Sequence, residues 1–400
     1  MAKLQKDLAV CSNMSENVKT LLVVFEFDTL NGGENSMLAV LSLLIGSQWQ
    51  IKAALPCHTA SSSDDQTLTE QLTKLGIETI CLTTHQDDGT RKTQEQYRDD
   101  FEAILNQHHA DVVLCNSLST SRLCGPVTNR ANVCSAGYLR DIIKLSGKAV
   151  SDINQLDRII AVSRATMNSH IQQGMDANRL QVVYNGVDLE QFHPRLRALP
   201  QAAELKASLG IPEQSPVVLY VGQIGMRKGI DVLVEAFNLL LETVPDSHLL
   251  IVGQRHSQKQ EAIEYERDAV QASAQTERVH WLGRRSDVCE LMAVSDVLLH
   301  PARQEPLGRV LLEAASSGLP IVTTLVGGSP EILGCNESFD LLCHKDDASA
   351  MAGRVGQLLT DDRIWQAVSS ELRNLAVRRF NRDNCAQSLL SVLHNLNQQQ

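Results

Sequence analysis

Positive charge is in short supply in this 400-residue chain: 36 Lys and Arg face 47 Asp and Glu, a net charge of −11. No basic stripe is available to neutralise phosphates, so a nucleic-acid partner is excluded and strong electrostatic docking on a membrane gains no support. Paired cysteine motifs are missing as well. The ten cysteines form no Cys-x-x-Cys, and most sit in apolar runs such as VVLC (Cys115) and LLC (Cys343), the pattern of buried reduced thiols without a structural metal. Nowhere do ~18 apolar residues run together, and the apolar stretch of the polar N-terminal segment is too short for a signal peptide. A cytoplasmic protein is expected.

The chain does have ample material for a core, 43% of it hydrophobic, and a length that suits two domains of ordinary size. Short apolar strands alternate with longer helical patterns: LLVVFEF then SMLAVLSLLIGS, WQIKAAL then QTLTEQLTKLG, and onward through DVVLC, NVCSAG, RIIAVS and LQVVYN. This reads as a doubly wound, mostly parallel α/β domain over residues 1–198. Pro194, Pro200, Pro212 and Pro216 mark a linker over 199–216. The pattern then restarts with VVLYVG, HLLIVG, RVHWLG, DVLLH and PIVTT, a second such domain over 217–379. Two domains of this kind facing each other leave a central cleft at the carboxyl ends of their strands, where ligands of this architecture bind. The segment MLAVLSLLI is apolar enough to touch lipid and is expected to bury against the first sheet. A weak peripheral contact with the inner membrane face stays open.

Chemistry concentrates in EPLGRVLLE (305–313). Were this stretch helical throughout, Glu305 and Glu313 would stand ~12 Å apart on nearly one face, about the span of a diphosphate between two sugars. Gly308 between them lets backbone approach a ligand, and a helix N-terminus offers amide donors to phosphate. The arrangement fits a nucleotide-sugar donor. With VGQIGMRKGIDVLVEAF (221–237), VHWLGRRSDVCELMAVSDVLLHPA (279–302) and VVYNGVDLEQFHP (182–194), the stretch resembles glycosyltransferase family 4, retaining glycosyltransferases of GT-B fold. Several motifs in the right order, spread over most of the chain, carry the resemblance.

The resemblance implies two Rossmann-like domains, with a terminal helix from about residue 380 crossing back to the first. It implies that a hexose moves from a nucleoside-diphosphate sugar, the co-substrate, to a glycan, lipid or small-molecule acceptor, without a cofactor. Sucrose- or trehalose-related or phosphorylase-like transfer is the near alternative. A catalytically degenerate sugar-nucleotide binding or scaffold protein is the alternative from another class. Asp-x-Asp, through which GT-A enzymes hold a divalent cation, is absent, so no metal is expected.

Glu305 is expected to accept hydrogen bonds from donor-sugar hydroxyls and favour an oxocarbenium-like ring. Arg227 and Lys228 would stabilise the departing diphosphate. Glu313 would take the ribose hydroxyls, and Leu307, Gly308 and Gly328, the last just before Ser329 as N-cap and Pro330, the phosphates. Gln223 stands where many members of the family have Arg, and Leu307 where an aromatic is common. Arg284 falls near the family's base-binding edge. In the first domain Gly32, Gly33 and Glu34 form a strand-to-helix loop near the diphosphate or acceptor. Arg140 and Asp141 stand where family members often carry His-Asp. Acceptor choice is expected from loops such as HTASSSDDQ (58–66) and HQDDGTRKTQ (85–94).

Overall fold

The computed structural model describes residues 18–56, 67–86, 88–194, 200–255, 257–273, 276–334 and 340–397. The N-terminal segment on which the signal-peptide reading rests, the loop 58–66 and part of the linker lie outside these residues.

Strands and helices alternate as the sequence pattern requires. The first series is β1 (Lys19–Val24), α1 (Gly32–Leu44), β2 (Trp49–Leu55), α2 (Leu68–Lys74), β3 (Glu78–Cys81), α3 (Gln94–His108), β4 (Val112–Cys115), α4 (Leu118–Ala131) and β5 (Cys134–Leu139). It continues with α5 (Gly147–Ile153), β6 (Arg158–Ala161), α6 (Arg164–Gln172) and β7 (Leu180–Val182). After α7 (Pro200–Ser208) come β8 (Val217–Val221), α8 (Ile230–Leu241), β9 (His248–Val252), α9 (Gln260–Gln271), β10 (Val279–Gly283), α10 (Val288–Val294) and β11 (Val297–His300). The last elements are α11 (Arg309–Ser316), β12 (Ile321–Thr324), α12 (Ser329–Leu333), β13 (Leu342–Cys343), α13 (Ala348–Thr360), α14 (Asp362–Arg379) and α15 (Arg382–Asn397).

Two sheets result, of order β3-β2-β1-β4-β5-β6-β7 and β10-β9-β8-β11-β12-β13. In the first, Leu21 of β1 pairs in parallel with Ile51 of β2 on one side and Val112 of β4 on the other. In the second, Leu298 of β11 pairs in parallel with Leu219 of β8 and with Ile321 of β12. Helices on both faces bury the strands, and for this reason they read as continuous aliphatic runs rather than alternating ones. Leu21 to Val24, Val217 to Tyr220 and Val297 to Leu299 are all at most 1% exposed. Strand order reverses between β1 and β4 in the first sheet and between β8 and β11 in the second, which opens a crevice at the carboxyl ends of those strands.

The chain divides into two compact units, one of Met1–Leu139, Ser146–Ile159 and Leu390–Gln400, the other of Arg140–Leu145 and Ile160–Leu389. The sequence pattern set the boundary at residue 198; residues from Ile160 group with the second unit because side chains tie them there. Ser163 and Thr166 donate to the Pro306 carbonyl, Glu331 accepts from the amides of Arg164 and Ala165, and Ser316 donates to the Phe192 carbonyl. In the first unit, Cys134 Sγ donates to the Leu396 carbonyl at 3.3 Å and the Trp49 ring lies 6.2 Å from that of His394.

Three local expectations are corrected. Residues 200–208, read as linker from their prolines, form α7, where Pro200 occupies the first turn and so lacks no bond it needs, and AAELKA has high helix propensity. Helix α1 begins at Gly32, so Gly32 and Gly33 belong to its first turn rather than to a loop before it, and Glu34 is buried there. Cys81 is disulfide-bonded rather than reduced. As the last residue of β3 it is exposed, turned by the period of two away from the core that holds Cys115 and Cys124 as free thiols. Among the described residues no helix is long and apolar enough to cross a membrane, and no three His, Cys, Asp or Glu side chains gather as a metal site.

Candidate active site

The second unit places two loops at its switch point, one leaving β8 and one leaving β11. The β8 loop ends in a single 3-10 turn, Met226–Lys228, closed by hydrogen bonds from Lys228 N to Gly225 O (2.9 Å) and from Gly229 N to Met226 O (3.2 Å). Helix α8 starts immediately afterwards because Gly229 adopts φ +69°, and a Cβ there would sit 2.1 Å from the Pro301 carbonyl oxygen. Only glycine allows the basic turn to press against the β11 exit.

Arg303, which the sequence reading passed over, pins the two loops together. Its amide donates to the Arg227 carbonyl and its Nη1 to the Met226 carbonyl, both at 2.9 Å. The guanidinium also meets Asp231 on α8 at 2.7 Å and Asp346 at 2.6 Å, and these carboxylates push its pKa further up. Bidentate geometry of this kind fixes direction as well as distance.

The pin brings Lys228 and Glu305, 77 residues apart in sequence, into contact at 2.5 Å. Glu305 Oε2 also accepts from His300 Nε2 at 2.8 Å. Glu305 is 6% exposed, and burial alone would raise its pKa; the Lys228 charge and the His300 hydrogen bond outweigh burial and hold it at about 2. Burial pulls the fully buried His300 below the usual imidazole range, against the opposing pull of Glu305. Tyr220, buried and beside the Glu305 charge, is raised well above the usual phenol range. Its hydroxyl donates to the Gln223 carbonyl at 2.9 Å, so Gln223 enters the site by its backbone.

Past Glu305 the backbone is clamped through its carbonyls. Gly328 N donates to Glu305 O at 2.9 Å, and Ser163 Oγ (2.5 Å) and Thr166 Oγ1 (3.3 Å) both reach Pro306 O. Gly327, at φ +52°, passes so close that a Cβ would lie 1.8 Å from Glu305 O. Leu307 is buried, and Gly308, at φ +102°, caps α11. The stretch 305–313 is therefore not one helix: α11 begins only at Arg309, and the ~12 Å expected of a continuous helix does not apply. Helix α12 is likewise capped by Gly328 rather than Ser329, whose buried hydroxyl has no partner among the described residues.

The remaining candidates sit apart from this cluster. Glu313 lies one turn into α11, paired with Arg309 at 2.8 Å. Arg227 points to solvent and meets Asp141 at 3.7 Å, each about half exposed, while Arg140 donates to Asn185 at 2.8 Å. Arg284 is exposed beyond the end of β10, the edge strand two removed from β8. Gly32, Gly33 and Glu34 belong to the first unit, at the crevice that follows β1. The cluster as built offers an ionised carboxylate and a cation beside it, on the loop that leads into the N-terminus of α11. His300 could have been suspected only from its position, a lone histidine ending an apolar strand just before Pro301.

A family model for Glycosyl transferases group 1 matches residues 201–375, and one for Glycosyltransferase Family 4 matches residues 135–191, together more than half of the chain. The chain is 28% identical over 233 residues to N-acetyl-alpha-D-glucosaminyl L-malate synthase of Bacillus anthracis, 57% of each protein. It is 30% identical over 258 residues to D-inositol 3-phosphate glycosyltransferase of Xylanimonas cellulosilytica, 63% of this chain and 61% of that one. It thus spans about three fifths of the length of the curated relatives it matches. The crystal structure of Anabaena Alr3699/HepE in complex with UDP-glucose superposes with a TM-score of 0.79 over 94% of this chain and all of that one, at 20% identity. Motif order, two parallel α/β sheets and these matches agree: the chain belongs to the group 1, family 4 glycosyltransferases of GT-B fold.

Proposed function

We propose that the chain is a retaining hexosyltransferase that uses a nucleoside-diphosphate sugar and needs neither metal nor cofactor. The observation that carries this reading is the buried Lys228–Glu305–His300 cluster at the switch point between β8 and β11. Relatives whose names specify glycosyl transfer, and a structural neighbour holding UDP-glucose, make a uridine diphosphate sugar the first donor to test.

In the reaction, the bond from the anomeric carbon to the leaving phosphate oxygen breaks with its electron pair on the diphosphate. An acceptor hydroxyl attacks the same face of the sugar, and its proton passes to a phosphate oxygen. Lys228 and Arg227 balance the charge that grows on the diphosphate. Glu305 stays ionised and favours the positive character of the ring through the oxygen that Lys228 and His300 leave free. Glu313 takes the ribose hydroxyls in exchange for its bond to Arg309. Leu307, Gly308 and Gly328 give backbone to the phosphates, Gln223 and Arg284 line the donor side, and Gly32, Gly33, Glu34, Arg140 and Asp141 the acceptor side.

Thermal shifts and sugar release with UDP-, GDP- and ADP-sugars test the reading on wild type, Glu305→Gln and Lys228→Ala. One nucleotide should stabilise the protein, with sugar release lost in both variants and retained in EDTA. Binding without release under any acceptor would make the chain a sugar-nucleotide binding protein, and no binding at all would end the reading.

A further inference from the structure

Two donors meet on a single oxygen in the second unit: Lys228 Nζ and His300 Nε2 both donate to Glu305 Oε2, at 2.5 and 2.8 Å. Among the described residues Glu305 Oε1 has no partner, although a carboxylate oxygen accepts two bonds. The two donors differ in what holds them. Lys228 sits on a four-carbon stem in an irregular turn, its side chain 15% exposed. His300 is the last residue of β11 and is wholly buried, with its carbonyl taking the Thr323 hydroxyl at 2.8 Å and its ring stacked 6.1 Å from that of Tyr220.

We propose that His300 is the positioning residue for Glu305, an immobile donor that keeps the carboxylate oriented when Lys228 swings from it to the diphosphate of the donor. This rests on the transferase reading above. An ionised carboxylate only accepts, so Nε2 carries the ring proton and Nδ1 does not. That assignment accounts for Nδ1, which is buried without a partner among the described residues: as a bare lone pair it costs little, whereas a second proton there would be an orphaned donor. The groups facing the ring are Glu305 from its own loop, Lys228 from the turn and Tyr220 from β8, while the uncharged Thr323 of β12 bonds the His300 carbonyl. Burial, reinforced by the Lys228 charge, keeps the ring neutral.

The consequence is chemical. While Lys228 is home, the pair Lys228–Glu305 carries no net charge. Once Lys228 neutralises phosphate, Glu305 faces the sugar with a full negative charge, and a neutral histidine holds it without cancelling that charge. Another lysine or an arginine in place of His300 would hold the carboxylate equally well but would neutralise it.

The test uses the full chain with UDP and UDP-glucose, counting sites by UDP binding before comparing rates. His300→Leu is expected to lower kcat for sugar release about 100-fold while KM changes far less. The acid limb of its pH profile should move upward, because Glu305 loses a group that holds its pKa down. His300→Gln, which keeps a donor, should recover most of the rate. Equal kcat and equal acid limb in wild type and His300→Leu, or a Gln variant no better than Leu, would overturn the proposal while leaving the transferase reading intact. Failure of wild type to bind UDP or any other sugar nucleotide would overturn that reading itself. If His300→Leu does not fold, nitrogen-15 spectra of the wild-type ring decide. A proton on Nε2 alone, with and without UDP, is expected at neutral pH; a proton on Nδ1 refutes the assignment.

Discussion

Arg227 and Lys228 are neighbours in one 3-10 turn, yet they lead opposite lives. Lys228 is drawn in against a buried carboxylate at 2.5 Å, and Arg227 reaches out to Asp141 at 3.7 Å with both partners about half in water. The same charge on adjacent residues thus takes part in one interaction the fold cannot relax and one it can. Desolvation makes the difference, because a buried charge that loses its partner keeps the full penalty of its burial, whereas an exposed one is simply hydrated.

The comparison is broken most severely by Lys228→Met, which leaves Glu305 charged and buried with only His300 beside it. Stability in urea should fall by about 3–5 kcal/mol, and Lys228→Met combined with Glu305→Leu should lose less than the two single changes added. Strict additivity would show that the pair is not coupled. Gly327→Ala comes next. It forces a side chain into a positive-φ position within 1.8 Å of the Glu305 carbonyl, and a cost of about 1–3 kcal/mol is expected with the loop displaced. Arg227→Ala should be smallest, within about 1 kcal/mol in the same assay. A larger loss would mean that the Asp141 pair is less solvated than its exposure indicates.

Acid sharpens the contrast by a different route. His170, His248, His280 and His300 are all held below the usual histidine range, chiefly by burial, and His248 reaches about 4. The unfolded chain therefore takes up more protons than the folded one below about pH 6.5, so stability present above that value drains away as pH falls towards 4. Glu305 has the same sign lower down: its contribution is present above the unfolded carboxylate value and is lost as pH approaches 2. Urea midpoints measured from pH 7 to 4 should decline, and a flat profile would contradict the burial of these imidazoles.

The alternation of strands and helices was readable because parallel strands covered on both faces are short aliphatic blocks, as in VVLYV and DVLLH. Helix α7 was not, because its prolines mark a break equally well whether a helix or a linker follows. Resemblance supplied Glu305 and Lys228, but not their contact, which depends on strand order rather than on spacing. Nor could Glu313 be placed against Glu305 from spacing alone, since the left-handed Gly308 ends the loop before the helix begins. Arg303 and His300 were hidden for separate reasons. Arg303 acts partly on main-chain carbonyls, which leave no trace in sequence. His300 has the setting of any core residue in a buried strand.

The clamp on the β11 loop also sets which substitutions this site tolerates. Met226, Arg227, Glu305 and Pro306 are all held through backbone oxygens, which every amino acid supplies, while the donors are the side chains of Arg303, Ser163 and Thr166 and the amides of Arg303 and Gly328. The clamp thus places no demand of its own on the accepting side chains, and those with no part in the reaction, Met226 and Pro306, can diversify without loosening it. Drift is barred instead at Arg303, Ser163 and Thr166, whose side chains make the clamp, so specificity and rigidity are written largely at different positions.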